Sequence, residues 1–180
     1  MDPRSSSIRA LLDAHQSADS LEEAHRLALL AHSATPRPFD RTTWTPGHFT
    51  ASAFVLSPDR AQLLLLLHTK LGIWVQPGGH FEPEDPDLLS AATREVVEET
   101  GLVDLELCSP LLDVDVHTIP ARKGDPEHQH LDLRVLLRAR STTLQATEEM
   151  QQWRWVPLAQ VGQMNTDESV MRVARRLLQA

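Results

Sequence analysis

The spacing of apolar positions changes near residue 48, and this change predicts two kinds of structure. Before that point, apolar residues recur at helical intervals and predict two helices, 8–15 and 21–32. Ser20 and Glu23 are spaced as a capping box for the second helix. Three prolines and a glycine then interrupt regular structure over 33–47. We therefore expect a helical N-terminal extension over residues 1–40, outside a core that begins near His48 and belongs to a domain over 41–180.

After residue 48, short alternating or apolar runs predict strands. Two runs predict a hairpin, 48–56 and 62–68, and the segment "LLLLL" in the second predicts a strand buried on both faces. Further strands are predicted at 73–76, 104–118, 130–139 and in "WRWVPL". Helices are predicted at 86–99, capped by Asp85 and ended by Gly101, and at 167–178. This order indicates an α/β fold with a mixed sheet between helices.

Three acids, Glu95, Glu98 and Glu99, are concentrated near the end of the first of these helices. Their spacing places them on one helical face, while the stripe that packs inward is Leu88, Ala92 and Val96. A solvated acidic face is one interpretation. The other is a cation site, because a glycine pair precedes the helix and clustered carboxylates with a backbone carbonyl suit Mg²⁺ or Mn²⁺.

The same segment resembles the Nudix box, the sequence motif of the Nudix hydrolases. Gly79 begins the match, and 94–102, "REVVEETGL", completes it without a gap. The family places thirteen residues between its first glycine and its arginine, whereas fourteen lie between Gly79 and Arg94. A one-residue insertion explains this difference and puts Pro86 where the first box glutamate belongs. Asp85 or Asp87 can replace that acid, and Glu84 is less well placed.

The resemblance, which extends over about residues 48–160, implies a Nudix-like α/β/α sandwich and a pyrophosphohydrolase. It implies hydrolysis of a nucleoside diphosphate linked to another group, with Mg²⁺ or alternatively Mn²⁺ as cofactor. The implied metal ligands are Glu95, Glu98, Glu99 and the carbonyl of Gly78, while Arg94 orients Glu95 or Glu98. Glu98 is the first candidate for the general base. Many members use a glutamate from a late loop instead, which here offers Glu148 and Glu149.

Histidines and acids alternate with apolar residues in two predicted strands. One strand carries Asp113, Asp115 and His117, and the next carries His128, His130, Asp132 and Arg134. If the strands pair, these side chains line one wall, which is either a wet sheet face or a pocket wall that binds phosphate or a sugar together with His80. We expect Asp132 to favour a charged, phosphate-binding His130. Phe81, Trp74 and Trp153 are candidates for stacking on a base, and the His-x-His spacing also leaves a separate zinc site open.

Composition narrows the class of partner. The net charge of −8 argues against a nucleic acid polymer, and no run of apolar residues is long enough to predict a membrane partner. We expect a cytoplasmic protein that binds a small nucleotide-type substrate; whether it forms a homodimer is left open. Two alternatives remain: a Nudix-like nucleotide-binding or regulatory module without hydrolysis, and an isomerase of the isopentenyl diphosphate type. The second alternative needs an earlier cysteine than Cys108, the only one.

Overall fold

The computed structural model describes residues 2–68, 71–122, 124–144 and 152–179. Its helices are α1 (Pro3–Ala14), α2 (Ser20–His32), α3 (Leu88–Thr100) and α4 (Glu168–Leu178). Its strands are β1 (Gly47–Leu56), β2 (Gln62–His68), β3 (Ile73–Val75), β4 (Gly78–His80), β5 (Leu105–Ile119), β6 (His128–Ala139) and β7 (Trp153–Pro157). A 3₁₀ helix, Leu158–Gln163, connects β7 to the segment before α4.

The strands form one mixed sheet in the order β3-β2-β1-β6-β5, with β4 paired to β1 and β7 to β2. The pairing of β1 with β6 is parallel, and the other pairings are antiparallel. Strand β4 was not predicted, because Gly-Gly-His has neither an alternating pattern nor strand-forming residues. It nevertheless pairs with β1, where His80 lies opposite Thr50.

Helices cover both faces of this sheet, which confirms the predicted α/β/α sandwich. On one face, α3 contributes Ala92 and Val96 to a buried cluster that includes Phe49 and Leu64. On the other face, α4 contributes a second apolar set, Val170, Val173 and Ala174, which packs with Leu63 and Leu65. The predicted burial of β2 on both faces is confirmed, because neighbouring leucines of "LLLLL" enter different clusters.

Helix α1 begins at Pro3 rather than at the predicted residue 8, and the N-caps of two other helices differ from the prediction. Helix α3 begins at Leu88, and its N-cap is Asp87, whose carboxylate accepts a hydrogen bond from the Ser90 N–H. Asp85 therefore does not cap this helix. Its C-terminal end is as predicted, with Gly101 in the left-handed conformation at φ 70°. The N-cap of α2 is Asp19 rather than Ser20, because the Asp19 carboxylate accepts from the Glu22 N–H.

The two N-terminal helices share the core of the sheet. Ile8, Leu12 and Leu29 are fully buried in the same cluster as Phe49 and Val96. The expectation that the core begins near residue 48 is therefore wrong, because the apolar stripes of α1 and α2 pack against the α3 face of the sheet. The division into 1–40 and 41–180 stays a prediction. None of the helices in the described part of the chain has the length and apolar character required to span a membrane.

Candidate active site

Strand β4 holds the acidic face of α3 against the edge of the sheet. A Cβ atom on Gly79 would lie 2.6 Å from Oε1 of Glu95, so the carboxylate occupies the space that any other side chain would need. The neighbouring glycine, Gly78, donates its backbone N–H to Oε2 of Glu99 at 2.9 Å. The glycine pair thus permits close approach, as expected, but the group that approaches the backbone is the protein's own carboxylate.

Arg94 connects the loop after β4 to the acids of α3. Its Nη1 donates to Oε1 of Glu95 and to Oε2 of Glu98, each at 2.9 Å. Its Nη2 donates to the backbone oxygen of His80 at 2.8 Å and to Oδ2 of Asp85 at 2.9 Å. The guanidinium therefore fixes two of the three predicted metal ligands, as the resemblance implied, and does so from one position.

Asp85 occupies the position left open by the irregular spacing before Arg94. Its side chain is 6 % exposed and receives two hydrogen bonds from Arg94, at 2.9 and 3.2 Å, and one from the Glu82 N–H at 2.8 Å. Burial acts to raise the pKa of Asp85, but these donors outweigh it and hold the pKa below its ordinary value. Of the two acids considered, Asp85 and not Asp87 braces the loop.

The three acids differ in exposure. Glu95 is buried, Glu99 is half-buried, and the side chain of Glu98 is 46 % exposed. Glu98 and Glu95 line a cavity of about 510 Å³ together with Arg41, Gly79, His80 and Arg94. Carboxylate oxygens are hard donors, so this set fits Mg²⁺ or Mn²⁺. The ligand role of the Gly78 carbonyl stays a prediction, and Glu148 and Glu149 lie outside the described residues.

Comparison with known proteins agrees with this geometry. The sequence model of the NUDIX domain matches residues 46–178. The chain belongs to the Nudix family. A relative, the m7GpppN-mRNA hydrolase NUDT17 of Danio rerio, is 42 % identical over an alignment of 112 residues, and the match covers 57 % of this chain and 37 % of the relative. The chain therefore spans little more than a third of that relative's length.

Solved structures share the Nudix fold. A NUDIX-family hydrolase from Clostridium perfringens has a TM-score of 0.55 and 26 % identity, covering 73 % of this chain and 96 % of that one. The NUDIX domain of Shewanella oneidensis NrtR, solved with ADP ribose, has a TM-score of 0.50 and 22 % identity. That match covers 87 % of this chain and 97 % of the other.

The predicted wall of histidines and acids exists in this Nudix domain, but most of it is buried. The β5–β6 pairing places His117 opposite His130, Asp115 opposite Asp132 and Asp113 opposite Arg134, as a hairpin requires. The carboxylates and Arg134 are buried and bind one another: Arg134 Nε donates to Asp132 at 2.7 Å, and its Nη1 donates to Asp113 at 3.1 Å. This part of the wall is neither a wet face nor a substrate pocket.

Asp132, predicted to bind substrate, is therefore a buried structural acid. In addition to the Arg134 bond, it accepts hydrogen bonds from the hydroxyls of Thr50 at 3.0 Å and Ser52 at 2.8 Å. Its oxygens are bound by two hydroxyls of the neighbouring strand β1 and by Arg134 of its own strand, so its described partners are protein groups, and its substrate-binding role stays an untested prediction. The alternation along β6 correctly predicted which face of the strand carries Asp132. It could not predict the hydroxyl partners, because they belong to β1, about 80 residues earlier in the chain.

The prediction of a charged His130 is wrong. Burial, followed by the charges of neighbouring histidines such as His117 and His80, lowers the pKa of His130 to about 2. The pKa of His80 falls to about 4, again mainly through burial. Both rings are neutral at pH 7, so neither attracts a phosphate by charge. His117 is more exposed, and its Nδ1 lies 3.2 Å from Asp115 Oδ2.

The aromatic candidates for base stacking divide into buried and exposed residues. Phe81 is buried, with its ring 4.9 Å from the ring of Phe39 in an edge-on contact, but it also lines the cavity, so its role in base stacking stays a prediction. Trp74 is buried in the cluster under α4. Trp153 is exposed and stays a candidate.

Five histidine rings gather beside the carboxylate site, and the sequence suggested only part of this group. His48, His80, His117, His128 and His130 form a chain of ring contacts with centroids 5.0–5.4 Å apart. His48 was missed because its place depends on the parallel pairing of β1 with β6, which sets it opposite His130. The available signal was the polar alternation of His48, Thr50 and Ser52 at the start of β1.

Proposed function

We propose that this protein hydrolyses a pyrophosphate bond in a nucleoside diphosphate linked to another group, with a divalent cation bound by Glu95, Glu98 and Glu99. One observation carries the proposal: Arg94 binds Glu95, Glu98 and the buried Asp85 at once, beside an open cavity. An acidic helix face that is only solvated does not require one arginine bound to three carboxylates. Membership of the Nudix family supports the same reaction class.

The chain's own residues supply positioning and proton transfer in this reaction. When bound, Mg²⁺ or Mn²⁺ would neutralise pyrophosphate oxygens and lower the pKa of a coordinated water. Glu98, whose carboxylate is the most exposed of the three, takes the proton of the attacking water. As the water oxygen bonds to phosphorus, the bond from phosphorus to the bridging oxygen breaks. Arg94 keeps Glu95 and Glu98 in place during this displacement, and Glu149 remains the alternative base.

The substrate class follows from the size and charge of the cavity. A volume of about 510 Å³ suits a nucleotide-sized molecule. Arg41 also lines the cavity and provides a cation for a phosphate that the metal does not bind. The Danio rerio relative is named as a hydrolase of m7GpppN-mRNA, so a cap dinucleotide belongs among the trial substrates alongside ADP-ribose. We retain the expectation that a nucleic acid polymer is not bound through its backbone, because the net charge is −8.

The decisive experiment measures product formation from a panel of nucleotide-linked pyrophosphates with Mg²⁺, for the wild type and Glu98→Gln. Glutamine removes the charge but little volume, and we expect a loss of about 100-fold or more in turnover. Asp104→Asn, which changes an exposed acid that does not line the cavity, is the matched control and keeps the wild-type rate. Substrate binding without product in the wild type would instead identify a nucleotide-binding module. A rate above about a tenth of wild type in Glu98→Gln would remove Glu98 from the proposed mechanism.

A further inference from the structure

Three histidines from two strands bring ring nitrogens together on the face of β4 opposite the carboxylates. One nitrogen each from His48, His128 and His130 lies within 4.8 Å of the other two. The ring centroids are 5.1 Å apart for His48 and His128, 5.0 Å for His48 and His130, and 5.3 Å for His128 and His130. The parallel pairing of β1 with β6 produces this triangle, because it places His48 directly opposite His130.

Backbone carbonyls fix the tautomer of two of these rings. The Nδ1 of His48 lies 3.2 Å from the Thr43 oxygen, and the Nδ1 of His128 lies 2.8 Å from the Pro126 oxygen. A carbonyl can only accept, so each Nδ1 carries the hydrogen and each Nε2 keeps its lone pair. Histidines that bind metals are held in this way, with the second ring nitrogen donating to a carbonyl or carboxylate.

The Nε2 lone pair of His48 accepts no hydrogen bond within the described part of the chain. His48 is 1 % exposed, and its Nε2 is buried without a hydrogen-bond partner among the described residues. Leaving a buried acceptor unpaired is destabilising unless another group binds it.

We propose that His48, His128 and His130 bind a second metal ion, of the zinc class, separate from the divalent cation of the Nudix carboxylates. Three imidazoles and one further position are a common coordination set for Zn²⁺. Nitrogen ligands of tetrahedral zinc lie about 3.3 Å apart, so each ring needs to move by about 1 Å, within reach of side-chain rotation. Trp44, whose ring lies 4.7 Å from that of His128, shields the site on one side.

The chemistry of the ligands separates the two sites. Imidazole prefers borderline ions such as Zn²⁺ or Co²⁺, whereas the acids of α3 prefer Mg²⁺ or Mn²⁺. Strand β4 lies between them: Gly79 contacts Glu95 on one face, while the His80 ring lies 5.0 Å from that of His48 on the other. Excess Mg²⁺ therefore fills the carboxylate site without occupying the histidine triangle, so zinc binding can be measured by itself.

The test titrates chelator-treated protein with Zn²⁺ in excess Mg²⁺ and counts bound zinc after gel filtration. We expect one equivalent in the wild type, and at least about a 100-fold weaker affinity in His128→Gln and in His130→Gln. Two control variants should bind zinc as the wild type does. They are His117→Gln, at a histidine outside the triangle, and His68→Gln, at the exposed end of β2. Glu98→Gln should do so as well, which separates this site from the proposed hydrolytic site.

The opposite results overturn the proposal. Full zinc binding by both triangle variants, or loss of zinc from Glu98→Gln, would place the ion elsewhere. Should either triangle variant fail to fold, ¹⁵N spectra of the wild-type histidine rings decide the question: zinc must shift nitrogen signals of His48, His128 and His130 together. Unshifted rings at one equivalent of zinc would refute the site. Because no substrate is present, failure here leaves the proposed hydrolysis untouched, and failure of hydrolysis leaves this result intact.

Discussion

Arg172 of α4 binds Asp113 of β5 across the sheet interface through two hydrogen bonds of 2.9 Å each. The two residues are 59 positions apart, and their side chains are 6 % and 1 % exposed. Asp113 also accepts from Arg134, so one buried carboxylate is shared by two guanidinium groups. This contact joins the C-terminal helix to the polar end of the sheet that carries the histidines.

The first prediction concerns this contact. Arg172→Met should lower the free energy of unfolding by about 3–5 kcal/mol, because it leaves Asp113 and its neighbouring acids with too little compensating charge in a buried place. Arg175→Met on the same helix is the matched control: the Arg175 side chain is 57 % exposed, and the loss should be no more than about 1 kcal/mol. Urea unfolding monitored by circular dichroism measures both. Equal effects would mean that burial does not set the strength of the Arg172 contact.

A second prediction concerns Asp85, which braces Arg94. Asp85→Ala should lower the free energy of unfolding by about 1.5–3 kcal/mol, because Arg94 loses a charged partner that is almost fully buried. Turnover should fall as well, since Arg94 also positions Glu95 and Glu98. Thermal or urea unfolding and the nucleotide assay test the two effects separately.

Two neighbouring acids serve as controls for Asp85. Glu84→Ala removes an exposed carboxylate that lines the cavity, and it should leave stability unchanged. Asp87→Ala removes the N-cap of α3 and should cost about 1 kcal/mol of stability with little change in turnover, since Asp87 does not contact Arg94 in the described structure. If all three variants behave alike, Asp85 is not the residue that replaces the first box acid.

The contribution of Asp85 should depend on pH in a defined direction. Its folded-state pKa is lower than the value of about 3.9 in an unfolded chain, so the unfolded state binds the proton more readily. The stabilisation is therefore complete above that unfolded value and is lost as the pH falls through the folded value. The difference in unfolding free energy between wild type and Asp85→Ala should be constant from pH 7 to 5 and should shrink below pH about 4. A difference that grows on acidification would contradict the assigned ion pair.

What could be predicted from sequence depended on how locally each feature is determined. The face shared by Glu95, Glu98 and Glu99 follows from helical spacing alone, and the Nudix box identified the fold. The burial of Asp132 could not be predicted from alternation, because its hydroxyl partners belong to β1. The histidine triangle required a parallel pairing between strands about 80 residues apart, for which the local pattern of His48 gives no register.

The last prediction uses the close approach of β4 to α3. A methyl group on Gly79 would meet the carboxylate of Glu95, the mobile end of a side chain, whereas one on Gly78 would meet the backbone of β1, 2.7 Å from the Ser52 Cα. Gly79→Ala should therefore fold with a loss of at most about 1–3 kcal/mol, while displacing Glu95 from the position that Arg94 and β4 give it. A shift of about 1 Å in a positioned group can reduce turnover by about 100-fold.

The measurement for Gly79→Ala is turnover against Mg²⁺ concentration, together with the unfolding midpoint. We expect a lower maximal rate and a higher apparent Mg²⁺ constant, because the displaced carboxylate is a proposed ligand. Gly162→Ala adds the same methyl group where no atom lies within 4 Å, and it should match the wild type in both measurements. Gly78→Ala should instead lose folded protein, because strand β1 cannot move aside without breaking its ladder with β6. A Gly79→Ala enzyme with the wild-type rate and Mg²⁺ constant would show that catalysis does not depend on the placement of Glu95 against β4.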